Sequence, residues 1–193
     1  MLRDLIATTA PEVKCDARIG ECASEDALRA AIEGSHFVVC CLDAGRSSVA
    51  YKLNRVCLEL RMRWLPATTA ATEVIVGPAI KPHESACYLC YKMRIVACAQ
   101  SPEDEYGLQS FLDRRKRDDS ANHESLVFAE TVAGNLAALE TMKALCDMPT
   151  VVTFGHVVVF DLLSLASTRH RVLRKPWCPA CQGQANLPVR AEQ

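Results

Sequence analysis

The chain has 193 residues, half of them apolar, which is enough for one buried core and excludes wholesale disorder. Its 22 basic and 23 acidic residues give a formal net charge of −1, so no overall basic field exists to hold nucleic acid or an anionic membrane. Aromatic residues make up only 6%, which also argues against a stacking platform for single strands.

Residues 2–9 read as the end of a helix that Pro11 breaks, and VKCDARI as a short strand. SEDALRAAIEG, residues 24–34, has a helix-start signature: Ser24 as N-cap, acids in the first turn and Gly34 as the stop. HFVVCCLD follows as a continuous apolar run, expected to be a strand of a parallel sheet buried on both faces. SSVAYKLNRVCLELRMR, residues 47–63, places Val49, Leu53, Val56, Leu60 and Met62 close to a helical stripe, and Pro66 ends it. TEVIVGPAI is the next expected strand, so the order predicts a right-handed β-α-β crossover.

Residues 101–123 are rich in charge and turn formers, with acids at 103–105 and a basic run at 114–117; they read as a solvated connection. A docking strip for a peptide or partner is the sharper alternative. Glu124–Cys146 is the longest helical segment, apolar at Leu126, Val127, Thr131, Val132, Leu136, Leu139, Met142 and Leu145. Its Ala133, Gly134, Ala137 and Ala138 would permit close helix packing. VVTFGHVVVFDLLS gives one or two strands broken near Gly155, and HRVLRKPWCPACQG closes the ordered chain. The expected organisation is a single α/β domain over residues 1–183 with a flexible tail at 184–193.

Eleven cysteines is an odd, high count. The N-terminal residues carry acids and a proline where a secretory apolar segment would stand. No apolar run reaches the roughly 18 residues of a membrane span; TVVTFGHVVVFDLL is broken by Gly155, His156 and Asp161. The expectation is a reducing, cytoplasmic location with the cysteines as thiols or metal ligands.

Two C-x-x-C pairs stand out: Cys87-Tyr-Leu-Cys90 and Cys178-Pro-Ala-Cys181. Each offers two thiolates on one tight turn, half of a tetrahedral zinc site. Together they would give a closed, structural shell with no position for water. Their long separation is too great for a small ribbon finger, so a larger fold must bring them together. Two unrelated thiol pairs or redox dithiols are the alternative. A redox pair normally opens a helix after a strand, a context Cys178 lacks. Cys40, Cys41, Cys57 and Cys146 are expected to be small core side chains, and Cys98 has no visible activating neighbour. His36, His156 and His170 read as structural. There is no G-x-G-x-x-G, no Walker A loop and no G-x-S-x-G elbow. The first α/β unit begins late, as though the opening strand and glycine loop of a nucleotide-binding half were missing.

The succession FVVCCLD, then Leu53-Asn54, then VGPAIKPHESACYLCYKMR, a long apolar helix and HRVLRKPWCPACQ resembles the ThiF-like, ubiquitin-activating-type adenylyltransferase superfamily. Within it the chain looks most like the leader-peptide-binding cyclodehydratase C-type and ocin-ThiF proteins of thiazole/oxazole-modified microcin (TOMM) pathways. The resemblance, over about residues 2–183, implies a partial Rossmann-like sheet with flanking helices and a zinc-stapled C-terminal segment. It implies Cys87, Cys90, Cys178 and Cys181 as ligands of a structural zinc. It matches Asp43 to the acid of the nucleotide and magnesium site in adenylating members, although the departures from the adenylating pattern favour Asp43 as only a strand-end residue. It matches Asn54 and Arg94 to family positions near that site. The glycine-rich ATP loop, the acid ending the second strand and the winged-helix element that grips leader peptides are not found, so ATP and magnesium are not expected. The favoured reading is a non-catalytic scaffold that helps present a precursor peptide to a YcaO-type ATP-dependent cyclodehydratase. The alternative is a ThiF-type adenylyltransferase activating a peptide or carrier C-terminus. A homodimer, or docking on a partner chain, is expected, because Phe37–Leu42 would lack one strand neighbour.

Overall fold

A computed structural model describes residues 2–17, 24–42, 47–104, 107, 110 and 126–182. In chain order the elements are α1 (Leu2–Thr9), α2 (Glu25–Ile32), β1 (Val38–Cys41), α3 (Ser47–Glu59), β2 (Trp64–Ala70), β3 (Glu73–Val76), α4 (Tyr88–Cys98), α5 (Val127–Leu145), β4 (His156–Asp161) and β5 (Ala166–Arg171). The α/β class expected from the sequence is what the structure shows. Most of the charged connection, the 184–193 tail and part of VKCDARI lie outside the described residues; residues 13–17 form no strand.

Local signals explain several boundaries. The Ser24 side chain accepts the Ala27 N–H at 3.1 Å and caps α2, and Gly34, at φ +77°, takes the left-handed conformation after it. Helix α3 buries Ala50, Leu53, Val56 and Cys57; of the stripe expected from sequence Leu53 and Val56 are buried, Val49 and Met62 are half-buried, and Leu60, past the helix end, is exposed.

The five strands form one sheet in the order β1-β2-β3-β4-β5. Only β1 and β2 are parallel, in register Val38↔Trp64 to Cys41↔Ala67. The other three pairings are antiparallel. The crossover β1-α3-β2 is therefore present, but its second strand is Trp64–Ala70 and not TEVIVGPAI. TEVIV instead folds back as β3. Pro66 ended the helix in the sequence reading and hid the strand around it. In the sheet it lacks only an N–H, and its carbonyl still accepts the Gly77 N–H at 2.8 Å.

A second correction concerns β1. It is not buried on both faces, and among the described residues it stands at the end of the sheet. Cys40 packs into the core, whereas Val39 is 40% exposed and Cys41 is exposed. A continuous apolar run signals two covered faces only when both are covered by the chain itself.

Two layers of helices flank the sheet. On one face Cys40, Trp64, Ile80 and Tyr88 pack with Leu28, Leu53 and Val56 of α2 and α3. On the other, Leu65, Ala67, Val74 and Val76 meet Ala129, Ala133 and Ala137 of α5. Helix α5 thus lays its alanines on the sheet, and Val127, Phe128, Leu139, Met142 and Leu145 face outward. Small side chains let the helix approach β2 and β3 closely, so the large residues are displaced to its outer side. Cys146, expected in the core, is exposed.

One buried polar link fastens α5 to the segment before β4. The Glu140 carboxylate accepts the Thr153 N–H at 2.9 Å and the Thr153 hydroxyl at 2.7 Å, and it pairs with Lys143. Burial raises its pKa, but the hydrogen bonds from Lys143 and Thr153 lower it by more, so it ends below the ordinary 4.5. A depressed folded-state pKa contributes stability above the unfolded value, and that stability is lost as pH falls through the folded value. Glu140→Gln is therefore expected to lower the melting temperature at pH 7 and to flatten its decline in acid. An unchanged acid limb in the variant, followed by circular dichroism between pH 7 and 3, would contradict this.

Candidate metal centre

The first thiol pair is built by helix α4. Cys87 is its N-cap residue in extended backbone, and Cys90 lies one turn further on. The Cys87 side chain does not cap the helix. That role falls to Asn54 of α3, whose Oδ1 accepts the Tyr88 N–H at 2.9 Å. The Cys87 sulfur is thereby left for other work. Tyr88 is wedged among Tyr51, Trp64 and Tyr91, with ring centroids 5.4, 5.5 and 6.0 Å away, which fixes the start of α4 against α3 and β2.

The second pair lies on turns after β5. The Cys178 N–H donates to the Lys175 carbonyl at 3.1 Å, and the Gln182 N–H donates to Cys178 at 3.0 Å. This segment is tied to α4 at several points. Arg94 Nε donates to the Leu173 carbonyl at 2.7 Å, and Arg174 Nη1 donates to the His83 carbonyl at 2.7 Å. The Lys175 N–H donates to the Cys90 sulfur at 3.3 Å.

The four sulfurs converge. Cys87 Sγ lies 3.8 Å from Cys90 Sγ and 3.6 Å from Cys178 Sγ, and Cys90 Sγ lies 3.6 Å from Cys181 Sγ. All four are buried, and all four sulfurs lie within 4.8 Å of one another. A tetrahedral ion with metal–sulfur bonds of about 2.3 Å has sulfur–sulfur edges of about 3.8 Å, so the donors fit such an ion. Separations of 3.6–3.8 Å are far beyond the roughly 2.05 Å of a disulfide.

As bare thiols the four share protons unequally. Hydrogen bonds from Cys181, Cys87 and the Lys175 N–H hold Cys90 far below an ordinary thiol. Cys87 is pushed far above it by its hydrogen bonds with Cys181 and Cys90 and by burial. A divalent cation removes that conflict, because coordination lets every sulfur ionise.

The remaining sequence candidates fall elsewhere. Asp43 lies outside the described residues. Asn54 is 2% exposed and engaged with Tyr88, and Arg94 is engaged with Leu173, so each serves a backbone tie rather than a shared pocket. His156 Nδ1 bonds the Phe154 carbonyl at 3.0 Å, and His170 bonds Thr168 at 2.9 Å. Sequence reasoning did not single out Lys81, Arg171 and Arg174, which meet in a cleft beside the metal centre. Nor did it find Glu140, whose only signal was an acid in the middle of an apolar helix.

The model of the ThiF family matches residues 1–180, and the chain belongs to that family. Comparison with the curated proteins finds no match. Solved structures do match. E. coli MccB is 14% identical with a TM-score of 0.74, over 100% of this chain and 52% of that one. The microcin C7 biosynthetic enzyme MccB in complex with N-formylated MccA is 14% identical with a TM-score of 0.73, over 93% and 50%. The heterocyclase TruD is 19% identical with a TM-score of 0.60, over 86% and 26%. The chain thus shares their fold and spans about half the length of MccB. No helix among the described residues is long and apolar enough to cross a membrane.

We expect the purified chain to carry one equivalent of tightly bound divalent metal. Cys178→Ser should release it and cost about 4 kcal/mol or more of stability. Elemental analysis with thermal melting checks this; full metal content in the variant would sink the assignment.

Proposed function

We propose that this ThiF-family chain is a non-catalytic scaffold in the maturation of ribosomally made peptides, holding a precursor peptide for a YcaO-type, ATP-dependent cyclodehydratase. The metal of the four-sulfur centre is read as a structural zinc, in line with its all-thiolate donor set. The supporting observation is a fold shared with MccB, which is solved with the MccA peptide, and with the heterocyclase TruD. In this reading the ring-forming chemistry belongs to the partner. A Cys, Ser or Thr side chain attacks the preceding amide carbonyl, and ATP phosphorylates the oxygen that later leaves.

An open sheet edge supports work within an assembly. Among the described residues β1 pairs only with β2, and its exposed Val39 borders a cleft of about 500 Å³ lined by Gly134, Ala138, Met142 and Leu145 of α5. Unpaired backbone beside apolar side chains drives association. We infer that another chain completes the sheet here. Light scattering of the chain alone and with its partner enzyme should show a species larger than the monomer; a constant mass of 21.2 kDa in both would remove this support.

A second reading, a ThiF-type adenylyltransferase, is favoured by MccB having been solved with ATP. Such chemistry needs backbone N–H groups around the phosphates, and this sequence has no glycine-rich loop to supply them. We therefore expect the chain to give no ATP–pyrophosphate exchange and no saturable heat with Mg-ATP at micromolar ligand. It should instead raise the rate of heterocycle formation when added to a cyclodehydratase and its precursor. A one-to-one ATP isotherm abolished by Asp43→Ala would decide for the adenylyltransferase.

A further inference from the structure

A cleft of about 390 Å³ opens beside the metal centre, between residues 81–86, the start of β4 and residues 171–174. Its walls carry Lys81, His156, Arg171 and Arg174 against one acid, Glu84. Among the described residues no carboxylate pairs with Lys81, Arg171 or Arg174. The Lys81 ammonium instead stands 4.3 Å over the Phe154 ring. Arg174 spends Nη1 on the His83 carbonyl, yet its buried Nε–H has no acceptor among the described residues. A buried guanidinium donor without an acceptor is costly, and the fork it belongs to suits a carboxylate.

We propose that this cleft binds an acidic side chain of an extended peptide. Three features separate a carboxylate from a phosphate here. The positive charge comes from side chains, and no glycine-rich loop or helix N-terminus forms the cradle of backbone N–H groups that phosphate sites recruit. Glu84 on the rim would repel a doubly charged group more than a singly charged one. Phe154, Val172 and Leu173 give apolar surface for the methylene stem of a glutamate. The walls are also firmly placed, because residues 81–86 run into Cys87 and residues 171–174 lead to Cys178. The choice of a peptide as bearer of the carboxylate rests on the peptide-handling reading above.

The test uses the full, metal-bound chain and three probes: the acetylated, amidated tripeptide Glu-Glu-Glu, its Gln-Gln-Gln counterpart and inorganic phosphate. Amide shifts of Gly155, His156 and Val172 report binding. We expect saturation by the glutamate peptide and at least tenfold weaker binding of the glutamine peptide. Lys81→Gln combined with Arg171→Gln should weaken the glutamate peptide at least tenfold; the exposed Arg171→Gln alone serves if the pair fails to fold. Equal affinity for the glutamine peptide, phosphate binding as tight as the glutamate peptide, or unchanged affinity in a folded variant would each overturn the proposal. No partner enzyme is present, so the result is independent of the heterocycle-formation assay.

Discussion

Four cysteine sulfurs from two distant segments meet in a space that suits one tetrahedral ion, and they join the segment after β5 to the start of α4. Leu58, Ala86, Val157 and Val172 are the buried aliphatic members of the cluster around them, with Ile75, Leu89 and Tyr91 packed half-buried against it. Of these only Val172 belongs to residues 172–181, so that segment brings little aliphatic surface of its own. Metal ligation would add binding free energy to folding and close a long loop at the same time. Arg94, Arg174 and the Lys175 N–H then align the segment along α4.

The opposite edge of the sheet has the contrary character. Among the described residues β1 leaves one edge unpaired, and α5 turns alanines inward and Val127, Phe128, Leu139, Met142 and Leu145 outward. Leu139, Met142 and Leu145 are each about half exposed, at 48%, 52% and 48%. Such residues gain little from burial among the described residues.

The paired C-x-x-C motifs were legible because thiolate chemistry needs a fixed local spacing whatever fold surrounds it. The caps of α2 and the stripe of α3 were legible for a similar reason: each is decided within a few residues. The hairpin β2–β3 was not. Pro66 carries a strong local stop signal, and only the neighbouring strands show that its carbonyl still joins the sheet. Helix α5 was found, but its orientation was not. Its apolar residues surround it nearly completely, so periodicity could not say that alanines would face the sheet. The exposure of Val39 and Cys41 was equally hidden, since a run of apolar residues does not record whether anything covers it.

A metal held by the four thiols would also limit where chemistry can happen. Four sulfur ligands would complete a tetrahedral shell and leave no position for water or substrate. The ion would act by holding backbone, and any recognition must fall to the segments it holds. Those segments are the walls of the Lys81–Arg174 cleft, which the knuckles fix from two sides. Asn54 belongs to the same logic. By capping α4 in place of Cys87, it frees a sulfur for ligation and links the first helix layer to the centre. Its bond to the Tyr88 N–H ties α3 to the first turn of α4, next to Cys87. Loss of its amide acceptor would leave the buried Tyr88 N–H unpaired, at about 1–3 kcal/mol, and would loosen the turn that presents Cys87.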